Sequence, residues 1–225
     1  MEAYHEVRLF LYILVEFKLN LQLTNEQLKN KTPFEIVRWA VSLSMRTIVT
    51  TNFGPYEAVI LHLIHRVKSD MDVVWIDSGY NTRATYVNAE KLIELFNLKI
   101  HVFNPLMSAK RRDTLMNGIP NIESELHEKF TYQVKLEPFK RAIDKFKPQI
   151  WLTAIRKEQT SFREKLDIVT SNEKGLIKIA PLFYTSEQQM QNYLKENNLP
   201  DEQDYYDPTK VVKNRECGLH KNFLK

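Results

Sequence analysis

A doubly wound α/β domain with a mainly parallel sheet is the fold class this sequence predicts, on three observations. Short β-branched or apolar runs recur along the chain, among them TIVTT, DVVWI and KIHVF. Between them lie stretches of a dozen or so residues with helical apolar spacing, and glycine or asparagine turns punctuate the joins. Near-continuous apolar strands belong to a sheet buried on both faces, the pattern of parallel strands covered by helices on either side. A chain of 225 residues with 43% apolar and 11% aromatic content can bury a full core for one such domain.

The elements follow in order. The run LFLYILV, Leu9 to Val15, is preceded by Glu2, Glu6 and Arg8 and leads into Glu16 and Lys18. It is too short to span a bilayer and lacks the layout of a signal peptide, so it reads as a helix with one buried face in an N-terminal helical extension, residues 1–24. KTPFEIVRWAVSLS is a marked helix start, with Thr32 as cap, Pro33 at the first helical position and Glu35 at capping-box spacing. RTIVTTN then predicts a strand, FGP a turn and YEAVILHLIHRVK a helix. The alternation repeats with strand DVVWI, helix TRATYVNAEKLIELFN and strand KIHVF. Further on come helix EPFKRAIDKFK, strand QIWLTAI, strand LIKIAPLF and helix TSEQQMQNYLKENN, where Thr185 and Gln188 stand at capping-box spacing. No repeat, low-complexity block or linker divides residues 25–199, the α/β domain. Residues 200–225 carry no sustained periodicity and read as a tail.

Composition narrows the function classes. The net charge of +4 is a mild, dispersed excess that fits an anionic ligand and is too weak to argue nucleic acid. One cysteine in the whole chain excludes an internal disulfide framework and any zinc or iron–sulfur site built from several of its own thiolates. A reducing compartment, the cytoplasm, is the expected location. That cysteine, Cys217, stands among Lys210, Lys213, Arg215, His220 and Lys221, with Glu216 opposing. Such cations lower a thiol pKa and enrich the thiolate. An adduct on Cys217 needs an external reductant, because no second cysteine can resolve it. Cys–His hydrolase chemistry with His220 is the competing use of the same thiol.

In open parallel sheets ligands bind at the carboxyl ends of the strands. Three such ends carry suitable residues. Thr51, Asn52, Phe53 and Gly54 follow the first strand, where backbone N–H groups could approach an anion. Asp77, Ser78 and Gly79 follow the second, with a carboxylate suited to a sugar hydroxyl or an amino group. Arg156 begins the segment after IWLTAI, and Arg163 follows it, both capable of bidentate contact. Singly these are a turn glycine, a helix cap and solvated arginines; together they point to a nucleotide or similar polyanion. There is no Walker loop and no GxGxxG. His62 and His65 have poor metal spacing, so no metal site is expected. Trp75 and Trp151 belong in the core, and Tyr205 and Tyr206 either stack on a base or pack.

Taken in order, TTNFG (Thr50 to Gly54), IDSGY (Ile76 to Tyr80), VKLEP (Val134 to Pro138), IRKEQTSFR (Ile155 to Arg163) and RECGLH (Arg215 to His220) resemble the sulfonucleotide reductase family. The resemblance spans nearly the whole chain after about residue 25, and RECGLH is its most specific element. It implies an adenine-nucleotide α-hydrolase-like fold and reduction of phosphoadenylyl sulfate. The Cys217 thiolate would form an S-sulfocysteine, which thioredoxin or glutaredoxin would resolve to sulfite. The resemblance assigns Thr51, Asn52, Phe53 and Gly54 to the phosphosulfate loop and Asp77, Ser78 and Gly79 to the nucleoside. It gives Lys135, Arg156 and Arg163 to phosphates and sulfonate, and Arg215 and His220 to closure over the site. Relatives that use adenylyl sulfate usually hold an iron–sulfur cluster on paired cysteines, absent here, so the 3′-phosphorylated nucleotide is the expected substrate and no bound cofactor is expected. Alternatives are a cluster-free adenylyl-sulfate reductase, an ATP-pyrophosphatase-like adenylating enzyme, whose Ser-Gly-Gly-x-Asp-Ser loop TTNFGPYE does not match, or a non-catalytic nucleotide-binding protein. The chain departs from the family at Asn52, where many relatives have serine, at NTRAT in place of LFPET, and in the shortened stretch before RECGLH. The N-terminal residues have no family counterpart and leave room for a homodimer contact.

Overall fold

The computed structural model describes residues 19–210. Cys217, Arg215 and His220, and the helix expected over Leu9 to Val15, lie outside the described residues.

Helix α1 (Leu21–Leu28) opens the described chain, with the Asn20 side chain accepting from Leu23 N. It crosses the boundary expected at residue 24. The Asn25 side chain both donates to the Val169 carbonyl (2.9 Å) and accepts from the Val169 N–H (2.8 Å), so the helix is pinned to the sheet edge. Helix α2 (Pro33–Ser42) has the full capping box read from its sequence, with Thr32 and Glu35 exchanging hydrogen bonds. Then come β1 (Thr47–Thr51), α3 (Glu57–Val67), β2 (Asp72–Ile76), α4 (Arg83–Phe96) and β3 (Lys99–Phe103). Two helices that the sequence reading passed over follow, α5 (Ala109–Met116) and α6 (Glu125–Thr131). A π-helical turn, Tyr132–Leu136, then runs into α7 (Glu137–Phe146). Strand β4 (Ile150–Leu152) leads through 3₁₀ turns at Lys157–Gln159 and Arg163–Lys165 to β5 (Val169–Ser171), β6 (Ile177–Ile179) and α8 (Glu187–Glu196).

Helix α8 corrects one expectation. Its capping box is Ser186 with Gln189, one residue beyond the Thr185 and Gln188 pair, because the Thr185 N–H is already committed to the Leu182 carbonyl at 2.9 Å.

The six strands lie in the order β3-β2-β1-β4-β6-β5. All neighbours pair in parallel except β5 with β6, an antiparallel edge. Residues alternate between two apolar faces. Val49, Val73, Trp75, Ile150, Leu152, Ile177 and Ile179 join the larger core with α2, α3, α4 and α8. Ile48, Val74, Phe103 and Trp151 face the other way, onto Phe139, Ala142, Ile143 and Phe146 of α7. Both faces are therefore dry, as the continuous apolar strands predicted. The expected core tryptophans are there, Trp151 fully buried and its indole N–H donating to the Thr50 hydroxyl at 2.8 Å. No described helix is long and apolar enough to cross a membrane.

The strand order reverses between β1 and β4. Successive strands run outward from β1 through β2 to β3, then the chain returns to add β4 on the other side. The crevice beyond the carboxyl ends of β1 and β4 is where this architecture binds ligands.

Candidate active site

A cleft of about 270 Å³ opens at that point. Its floor is the end of β1 and the start of α3, with Thr50, Thr51, Asn52, Gly54, Pro55, Tyr56 and Glu57. One wall is the segment after β4, contributing Arg156, Gln159 and Arg163; the other brings Lys135 from the π turn and Tyr205, Asp207 and Lys210 from the C-terminal segment. A wider groove of about 890 Å³ runs behind Tyr56 along α8, but it holds none of the predicted strand-end residues, and Lys195 is the one cation among its lining residues. The chemistry gathers in the smaller cleft.

The β1 to α3 loop is held by its own side chains. The Thr51 hydroxyl accepts from the Phe53 N–H (3.1 Å) and Asn52 Oδ1 from the Gly54 N–H (2.9 Å). The Tyr56 N–H donates to Asp201 (2.7 Å) and the Glu57 N–H to the Gly54 carbonyl (3.2 Å). Of the loop backbone expected to approach an anion, the N–H groups of Phe53, Gly54, Tyr56 and Glu57 thus have acceptors within the protein. Phe53 and Tyr56 take left-handed backbone, φ 52° and 67°, at a cost of about 1–3 kcal/mol each. Burial of the Phe53 ring, edge-on to Trp75 with centroids 4.8 Å apart, contributes about 1.5–3 kcal/mol in return. Phe53 is thus a packing anchor beneath the cleft, while Thr51, Asn52 and Gly54 face it. Gly54 sits at a close approach: a Cβ there would stand 3.0 Å from Asn52 Oδ1 and 3.2 Å from the Tyr205 ring, and both side chains would have to give way slightly.

Positive charge in the cleft comes from side chains. Lys135 projects from the π turn, whose widened backbone aims it inward, and its Nζ lies 2.5 Å from Asp207 Oδ2 in a nearly buried pair. Burial would raise the Asp207 carboxyl, but the Lys135 charge and the hydrogen bonds from Lys135 and Thr209 outweigh it and hold it at about 2. Arg156 is buried, bonds Glu158 and lies over the Tyr56 ring, 5.5 Å from its centroid. Arg163 is buried beside Gln159, which also accepts from the Arg156 N–H at 2.9 Å. Gln159 therefore couples the two arginines.

Ile76, the last residue of β2, lines this cleft, but the predicted residues that follow it do not. Asp77, Ser78 and Gly79 lie beyond its rim. The Asp77 carboxylate accepts from the Gly79 N–H, the Asn81 amide, the Tyr86 hydroxyl and the Asn104 amide at 2.8–3.1 Å. Burial, with Asp77 beside it, pushes the Tyr86 hydroxyl up to about 12. Asp77 thereby organises its own loop. Gly79 has φ 79°, the left-handed turn its residue type allows. Ser78 accepts from the Tyr80 N–H at 3.2 Å.

Residues 200–210 cross the carboxyl edge of the sheet, held where Thr82 and Thr85 donate to the Asp204 carbonyl (2.7 and 2.9 Å). Tyr205 lies on Gly54, whereas Tyr206 is exposed. His62 stacks on Phe96 and hydrogen-bonds Tyr193. Glu57, Gln159 and Asp207 were missed from sequence; only the run YYDPTK, aromatic and charged in an otherwise irregular tail, hinted at the last.

A family model described as "Phosphoadenosine phosphosulfate reductase domain" matches residues 46–207. The chain is similar to the phosphoadenosine 5′-phosphosulfate reductase of Vibrio cholerae, 32% identical over 187 residues, which cover 83% of this chain and 74% of that protein. It is also similar to the protein of the same name from Synechococcus, 30% identical over 178 residues, 78% of this chain and 76% of that one. Among solved structures, phosphoadenylyl-sulfate reductase from Candida auris, a phosphate complex, superposes with a TM-score of 0.71 at 28% identity, covering 83% of this chain and 89% of the other. FMN adenylyltransferase from Candida glabrata, at 15% identity and a TM-score of 0.55 over 80% of this chain and 57% of that one, shares the fold.

Proposed function

From the membership of this chain in the phosphoadenosine phosphosulfate reductase family, we propose that it reduces 3′-phosphoadenylyl sulfate to sulfite and adenosine 3′,5′-bisphosphate through Cys217. The observation that carries the reading is the convergence of Lys135, Arg156, Arg163 and Lys210 on one cleft at the β1/β4 switch point. Four cations there match a substrate with three anionic groups and stabilise the charge that develops on the leaving phosphate. The phosphate bound by the Candida auris reductase supports the same polarity.

The Cys217 thiolate attacks the sulfonate sulfur, the new S–S bond forms, and the S–O bond breaks with its electron pair passing to the phosphate oxygen. Arg156 and Arg163, fixed by Glu158 and Gln159, take up that charge without moving. A thiolate of thioredoxin or glutaredoxin then attacks Cys217 Sγ, and sulfite departs with the S–S electron pair. The second thiol of the reductant resolves the mixed disulfide, returns Cys217 to its thiol form and completes the two-electron supply. This assigns no electron-carrying group to the chain itself, whose one cysteine cannot supply the paired thiolates of a cluster.

Intact mass after mixing with phosphoadenylyl sulfate tests the proposal. The wild-type protein should gain one sulfonate, lost again on adding reduced thioredoxin, while Cys217→Ser binds nucleotide and gains nothing. A sulfonate on Cys217→Ser, or sulfite release by it at the wild-type rate, would falsify the assignment.

A further inference from the structure

One titratable group in the cleft has no task in these steps. Glu57 heads α3 and lines the floor. Its Oε2 is buried and has no hydrogen-bond partner among the described residues. A buried oxygen left unpaired is costly, and such atoms mark places where something else belongs. The surroundings are cationic. Arg163 faces Glu57 from the 3₁₀ turn and Lys210 from the C-terminal segment, while Lys135 on the π turn is bonded to Asp207 and Arg156 to Glu158. Thr51 on β1 bears on the same carboxyl. The amino end of α3 adds its own partial positive charge. Any anion entering the cleft therefore competes with a carboxylate for the same cations and the same helix end.

Resting on the reading of this cleft as the nucleotide site, we propose that Glu57 is a specificity-determining residue that takes up a proton as the substrate binds and donates it, through Oε2, in a hydrogen bond to a phosphate or sulfonate oxygen. Ionised, Glu57 repels that oxygen; protonated, it gives the short, charge-assisted bond of a neutral acid to an anion. The proton comes from solvent and is returned on release, so no other reactant is needed. Burial supports this by pushing the carboxyl up to about 7, against the downward pull of Thr51, Arg163 and Lys210. Neutral pH is then where the free site is poised between its two forms. The consequence is selection by charge: a ligand presenting a full negative charge at that point retains the proton, and one presenting an amide or amine does not.

Calorimetric titration of the full chain with adenosine 3′,5′-bisphosphate tests it. At about pH 8 the nucleotide's own phosphates are ionised, so proton uptake read from two buffers of different ionisation enthalpy reports the protein. Wild type should take up close to one proton per nucleotide, and its affinity should fall by up to about tenfold per pH unit above about 7. Glu57→Gln should take up none, and its affinity should no longer fall with pH. Equal uptake by both proteins overturns the proposal, as does binding to wild type with no uptake, which decides the matter even if the variant folds poorly. No binding by wild type at any pH would overturn the reading of the cleft itself, and this inference with it.

Discussion

Asp207 shows how one carboxylate can hold the wall of the cleft. It is buried, yet its pairing with Lys135 keeps it ionised down to about pH 2. A carboxyl held below its ordinary value stabilises the fold above about pH 4, and that contribution is lost as pH falls through about 2. Asp207→Asn removes one partner of a nearly buried pair and should cost about 3 kcal/mol at neutral pH. In urea unfolding the gap between variant and wild type should narrow as pH drops from about 4 to about 2, whereas a gap independent of pH would assign the loss to packing. Residue-level chemistry was legible only in part. Lys135, Arg156 and Arg163 were found on family motifs, and the structure gathers them. Asp207 and Glu57 escaped because nothing local distinguishes a carboxylate that will face a cation from one that will face water. Phe53 and Asp77 were read as ligand contacts, but the left-handed loop turns the first into the core, and four donors surround the second.

Among the elements, the π turn Tyr132–Leu136 does most to shape the site. One extra residue in a helical turn rotates everything after it by about 100° relative to a regular helix. That rotation is what presents Lys135 to the cleft while Val134 is buried. Buried Arg112 braces it, donating to Gln133 at 3.1 Å and to the Met107 carbonyl at 2.6 Å. Deleting exposed Tyr132 should restore a regular α-helix, preserve helical content by circular dichroism, and weaken nucleotide binding by about tenfold or more. Unchanged affinity would show that Lys135 does not depend on the turn. Capped helices with an apolar face, such as α2, were fully legible. The π turn was not, because VKLEP has an apolar spacing that a regular helix also satisfies. Helix α5 was missed for the opposite reason: AKRRDTLM has almost no apolar face, and its one buried residue is Arg112. The α8 cap slipped by one residue because two overlapping boxes were available and a tertiary turn took the first threonine.

At the scale of the whole molecule, strand order governs both stability and site. Strands β1 and β4 have a neighbour on each side and dry layers above and below; β5 is three residues long at an edge, and two of them are half-buried. Amide exchange of Ile48, Val49 and Trp151 should be slower than that of Thr170 and Ser171 by about two orders of magnitude or more. Equal rates would mean that the sheet opens as one unit from its edge. Alternation of strands and helices made the layered fold legible from sequence, and the strand-end rule located two sides of the cleft. The order β3-β2-β1-β4-β6-β5 was not legible, since parallel partners are chosen by contacts far apart along the chain. Lys210 lines the cleft, and Cys217 follows it by seven residues. An extended chain advances at most about 3.6 Å per residue, so in any conformation of the intervening residues the thiol stays on a leash of roughly 25 Å. A group confined to that reach has an effective concentration of about millimolar or more, whatever path the chain takes. In the reaction proposed above, the meeting of thiol and nucleotide would then be a first-order event, as fast in a dilute solution of the protein as in a crowded one.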